Sequence, residues 1–185
     1  MNNKKAQTWY GDFMIAIALF AITMIIYYQY ASSISVENKN AIKDLLLDAK
    51  AISSSLIEEG YPANWSTFDV NRIGITDGNY RLKQSKIDSF AALDYSRSKF
   101  LLGISSDYFV FFEDKYGNVP RLNETCGIGS PQVTIEVVNI TGPWVVGNAK
   151  CLVNMSNTMA KNIAKVERIV LYNSSLLKMV VYSWN

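Results

Sequence analysis

The residues of this chain whose types suit chemistry are two cysteines, five Asn-x-Ser/Thr triplets and a few paired acids. Cys126 and Cys151 lie outside any CxxC pair, and the 185 residues contain no histidine, so a zinc site is not expected. In an oxidising compartment an even cysteine count reads as one disulfide, worth roughly 3 kcal/mol for a loop of this length on the chain-entropy model. Two separate buried thiols are the alternative. The missing histidine also removes the commonest general base, the commonest metal ligand and any Ser-His or Cys-His nucleophile pair. Glu58-Glu59 and Glu113-Asp114 fit solvated ends of a helix and a strand better than a general acid and base. Asp77-Gly78-Asn79 is too short for a calcium loop of the EF-hand type. No P-loop, GxGxxG or GxSxG is present. The expectation is a protein without enzymatic turnover, metal or cofactor. Net charge is +2 with no basic tract, which argues against nucleic acid as a partner.

The triplets are Asn64-Trp65-Ser66, Asn123-Glu124-Thr125, Asn139-Ile140-Thr141, Asn154-Met155-Ser156 and Asn173-Ser174-Ser175, none with a central proline. Five candidate N-glycosylation sites in one modest chain support an exported, glycosylated surface, against chance in an Asn- and Ser-rich sequence.

Export requires a signal, and the N-terminal segment supplies one. Phe13 to Tyr28 reads FMIAIALFAITMIIYY, uncharged, with Thr23 as its one non-aromatic polar residue. Gly11 through Tyr30 is long enough to cross a hydrocarbon core of about 30 Å as a helix rising about 1.5 Å per residue. Trp9 and Tyr10 flank one end and Tyr27, Tyr28 and Tyr30 the other, at the levels aromatic rings prefer. Lys4 and Lys5 place the N-terminus in the cytoplasm, so the C-terminal domain is expected outside it. A cleaved secretory signal, using Ala31, Ser32 or Ser33, and an unprocessed signal anchor are the alternatives.

Beyond the span, Ile42, Leu45, Leu46, Ala49, Ile52, Leu56 and Ile57 recur at helical spacing, and Gly60 and Pro62 end the pattern. With no Gly or Pro between Tyr30 and Glu37, one helix from about Thr8 to Glu59 is predicted; an anchor, a linker and a separate helix is the alternative. Residues 60–106 read as loops with short elements: a short strand Asn71–Ile75, a turn at Thr76–Asn79, and helical spacing from Lys86 to Leu102. Residues 107–185 read as β. The predicted strands are Tyr108–Glu113, Gln132–Ile140, Trp144–Val146, Lys150–Val153, Lys165–Tyr172 and Leu176–Trp184, with Asn173-Ser174-Ser175 as a hairpin turn. A Cys126–Cys151 bridge would staple a loop to the sheet edge. The fold class is α+β: a long N-terminal helix packed on a C-terminal antiparallel sheet.

The residues before the span are Lys4-Lys5-Ala6-Gln7-Thr8-Trp9-Tyr10-Gly11-Asp12-Phe13. A basic leader, a small residue, Gln, a polar stretch and one acid at the mouth of an apolar helix resemble an archaeal type IV pilin with its class III signal peptide. The resemblance implies cutting between Ala6 and Gln7 by a prepilin peptidase, with the helix retained. The division is then leader 1–6, transmembrane helix 7–30, stalk helix 31–59 and extracytoplasmic domain 60–185. It also implies assembly through that helix with like or related subunits, the acid neutralising a neighbour's N-terminal amine. Asp12 is the residue for this role, although the family's acid is a Glu at the fifth mature position, which Gly11 occupies here. Gly60-Tyr61-Pro62, Trp65 and Arg72-Ile73-Gly74 resemble a pattern in archaeal pilin-like surface proteins. The implied function is a structural or adhesive subunit of a surface filament. A membrane-anchored extracytoplasmic binding protein that does not polymerise is the alternative.

Overall fold

The computed structural model describes the backbone of residues 4–139 and 149–185. Helix α1, Lys4–Leu56, runs unbroken for 53 residues. It begins earlier than the predicted Thr8, taking in Lys4 to Ala6, and ends three residues before Glu59. Within it Tyr10–Tyr30 is apolar, unburied and long enough to cross a membrane. By length and composition this helix fits either a membrane anchor or a signal sequence. The chain divides into two compact units, up to Ala41 and from Ile42 onward.

In the second unit the apolar stripe of α1 works as a core face. Leu45, Ala49, Ile52 and Leu56 are fully buried at spacings of four, three and four, one face of a helix. Ile42 and Leu46, predicted in the same stripe, remain exposed. Two short helices follow, α2 (Gln84–Ala91) and α3 (Tyr95–Leu102). The helical spacing over Lys86–Leu102 is thus interrupted. The Asp94 carboxylate takes the Arg97 N–H at 3.1 Å as the N-cap of α3, so a new helix starts where periodicity suggested continuation. Gly103, at φ 67°, closes α3 in the left-handed conformation glycine tolerates.

Seven strands complete the unit: β1 (Asp107–Glu113), β2 (Val119–Pro120), β3 (Gly127–Gly129), β4 (Thr134–Asn139), β5 (Ala149–Asn154), β6 (Ile163–Tyr172) and β7 (Ser175–Trp184). They form two antiparallel sheets, one ordered β3-β1-β7-β6 and the other β2-β5-β4. The predicted strand Asn71–Ile75 is absent as a strand; only isolated bridges form there, Tyr61 to Arg72 and Thr76 to Leu82. The predicted strand Trp144–Val146 lies outside the described residues. The β6–β7 turn is tighter than predicted. Asn173 and Ser174 alone turn, both at positive φ (45° and 65°), and Ser175 already pairs with Tyr172.

The larger sheet is covered on both faces. Tyr108, Val110 and Phe112 of β1 join Leu177, Met179 and Val181 of β7 in a cluster with α1 and α2. Phe109, Phe111, Val180 and Trp184 point the other way and pack with Val119 and Cys151 of the smaller sheet and with Cys126 and Val133, which immediately precede β3 and β4. Burial on both faces explains why β1 reads as an apolar run without alternation.

Candidate functional site

The last carbonyls of a helix have no partner within it. The loop after α1 provides them. Ile75 N–H donates to the Leu56 carbonyl at 2.9 Å, the Thr76 hydroxyl to that of Ile57 at 2.6 Å, and Thr76 N–H to that of Glu58 at 3.3 Å. The Lys86 ammonium donates to the Glu59 and Thr76 carbonyls at 2.7 and 2.9 Å. Lys86 is only 5% exposed, and burial pushes its pKa below the ordinary lysine value. Its charge sits where a helix dipole favours a cation.

The residues around Gly60 to Gly74 are the frame of this closure. Tyr61 and Arg72 exchange backbone bonds at 2.9 and 3.1 Å. The Trp65 indole N–H donates to the Gly74 carbonyl at 2.8 Å, and the Ser55 hydroxyl to that of Ile73 at 2.7 Å. A Cβ on Gly74 would overlap the Glu58 oxygen and the Gly60 nitrogen, so only glycine lets the two backbones approach. A cluster that reads in sequence as an ordinary loop with aromatic anchors is the clamp that ends α1.

Further along α1, Asp48 accepts from the Ser106 hydroxyl at 2.6 Å and the Ser106 N–H at 3.2 Å, and that hydroxyl lies 2.6 Å from the Ser183 hydroxyl. Arg168 Nε donates to the Ser53 hydroxyl at 3.3 Å. No local pattern signals these ties, because each joins residues far apart in the chain. The one available hint was a polar residue interrupting an apolar helix face.

Cys126 and Cys151 are disulfide-bonded, with Cα atoms 5.8 Å apart. Cys126 immediately precedes β3, on the larger sheet, and Cys151 is on β5, the central strand of the smaller one. The expected pairing of a loop residue with a strand residue is what forms, but the strand is the central one of the smaller sheet and not its edge, so the bridge ties the two sheets together. A disulfide suggests an oxidising, extracytoplasmic domain. Beside it a cleft of about 470 Å³ opens between Phe111, Glu113 and Tyr182 on one side and Lys150, Val153 and Met155 on the other. Glu113 is held by Lys178 at 2.9 Å and Lys150 by the Asn118 side chain at 2.6 Å. Among the described residues no group of three or more His, Cys, Asp or Glu is placed to hold a metal ion.

Ala6 and Gln7 fall within α1, and Asp12 is exposed near the start of the apolar span. Asn64, Asn123, Asn154 and Asn173 are exposed. Asn123 turns a tight reversal in which Leu122 and Thr125 exchange bonds at 2.9 and 3.0 Å. The Asn154 side-chain oxygen accepts the Ser156 N–H at 2.8 Å and the Ser156 hydroxyl at 2.7 Å, within one triplet. Asn139 ends β4, and its side chain lies outside the described residues.

No family model, curated protein or solved structure matches the chain.

Proposed function

We propose that the protein is an exported, membrane-anchored subunit of a type IV pilus-like surface filament, structural or adhesive in role. The observation that carries this reading is the double use of α1. One unbroken helix holds both a membrane-grade apolar span, Tyr10–Tyr30, and the buried stripe Leu45–Leu56 of an α+β domain. A helix transferred from lipid into a bundle of like helices changes its surroundings little, since both are apolar. Asp12 would neutralise a neighbouring subunit's N-terminal amine, favoured by the positive end of the helix dipole. The exposed sequons would carry glycans that shield the domain.

Mass spectrometry of the protein from its native host tests this. A mature chain beginning at Gln7 supports processing by a prepilin peptidase, and an intact Met1 rules it out. Recovery of the processed chain in sheared surface filaments separates the subunit from an anchored protein that does not polymerise. Substitution of Asp12 by Asn is expected to remove it from filaments while leaving the processed chain in the membrane.

A further inference from the structure

Strand β6 is the edge of the four-stranded sheet. Its outer side is occupied at one end only, where Leu171 N–H donates to the Tyr80 carbonyl at 2.9 Å and Leu82 N–H to the Leu171 carbonyl at 2.8 Å. Those two bonds fix the phase of the strand. The backbone groups of Leu171 face away from β7, and with a period of two so do those of Ile169, Glu167, Lys165 and Ile163. Among the described residues nothing pairs with them. Edge strands are ordinarily blunted by proline, bulges, shortness or charged side chains, and β6 carries only the last of these among the described residues, Lys165 and Glu167, which lie 2.7 Å apart within the strand. β6 has ten residues, no proline and no glycine, and leaves Ile163 and Ile169 50% and 61% exposed.

The outward pattern is symmetric about Val166: Ile163, Lys165, then Glu167, Ile169. We propose that this edge is a homophilic contact, occupied by β6 of a second copy of the same chain lying antiparallel across a two-fold axis at Val166. In that register Lys165 faces Glu167 of the second copy, and Ile163 faces its Ile169. Opposite charges and branched apolar residues therefore meet across the strands, the pairings that favour one register. The four outward residues of each copy would exchange about eight backbone bonds. The contact is isologous, so it closes on two copies.

The direction of α1 adds a consequence. Asp48 reaches Ser183 through the Ser106 hydroxyl, and Ser183 pairs with Ala164, whereas Ser53 touches Arg168. From Ile42 to Leu56, α1 thus runs with β6, and an axis normal to the sheet reverses both. The two copies enter the contact from opposite sides.

Crosslinking of the full chain in detergent tests the pairing. Val166→Cys places two thiols across the axis at about 4.5 Å between Cα atoms, within disulfide range. The native cysteines are already bonded to each other, so they do not compete. A covalent dimer is expected, formed at least about tenfold more slowly with Lys165→Glu added and restored by Lys165→Glu with Glu167→Lys. No dimer, or one indifferent to Lys165→Glu, overturns the pairing. Lys165 and Glu167 are exposed, so these changes spare the core.

Discussion

Reducing the Cys126–Cys151 bond isolates what the bridge contributes, because both thiols stay in place and no cavity is made. The bond spans 25 positions. The chain-entropy relation gives about 12 cal/mol/K for such a loop, or about 3.5 kcal/mol at ~25 °C, all of it by freeing the unfolded chain. The loss is expected to be local first. Among the described residues, β4 and β5 pack on the larger sheet through a small apolar cluster and the bridge, whereas β1 and β7 are packed on both faces. Hydrogen exchange read by mass spectrometry, on the full chain in detergent, compares the oxidised and reduced forms. Amides of residues 134–139 and 149–154 are expected to exchange faster by up to a few hundredfold, since each 1.4 kcal/mol is tenfold. Protection there within about threefold of the oxidised form refutes the magnitude. An equal loss in β6 and β7 refutes the local opening.

Gly74→Ala is expected to cost about 2–3 kcal/mol, because the added Cβ meets backbone that cannot yield, while Gly103→Ala, which meets nothing, costs about 1 kcal/mol through its positive φ; urea midpoints compare the two. Lys86→Met strips two carbonyls of their donor and is expected to lower stability by about 2 kcal/mol in the same assay. Stability is expected to fall in alkali. Burial pushes the Tyr108 phenol from 10.0 up to about 12, so the folded state keeps a proton that the unfolded chain releases, and about 1.4 kcal/mol is lost per pH unit between those values. Lys86 acts with the opposite sign, its lowered pKa making stability rise with pH only until the ordinary value of 10.5 is passed. Urea midpoints above pH 10.5 should therefore decline, and Tyr108→Phe should flatten the decline.

What could be read from the sequence is what a single local period controls. The apolar stripe Leu45, Ala49, Ile52, Leu56 needs only the 3.6-residue repeat to declare its buried face. The long strands β6 and β7 declare themselves by β-branched and aromatic content between turn residues. The short strands do not. β2 has two residues and β3 reads Gly-Ile-Gly, so neither carries a period. They exist because long-range partners hold them: β3 against β1, β2 against β5. Asp94 was legible as a cap in principle, but the apolar spacing across it was stronger locally and hid the break.

The same distinction bears on function. A membrane-grade helix and five sequons are local signals, so sequence reaches them. The clamp of Trp65, Gly74 and Lys86 is a set of backbone carbonyls satisfied from elsewhere, and its logic appears only when the helix end and the loop are seen together. This clamp explains why α1 stops where it does. A helix that continued past Leu56 would free Ile75 and Thr76 from their acceptors and leave the buried Lys86 ammonium without its carbonyls. A buried cation without acceptors costs several kcal/mol, far more than the added helical turn would return. The end of α1 is therefore fixed by Lys86 as much as by Gly60. If that is right, Lys86→Met should fray the last turn of α1 and leave the β6–β7 hairpin protected, in an exchange experiment on the full chain. Uniform deprotection of both would show instead that Lys86 supports the whole core.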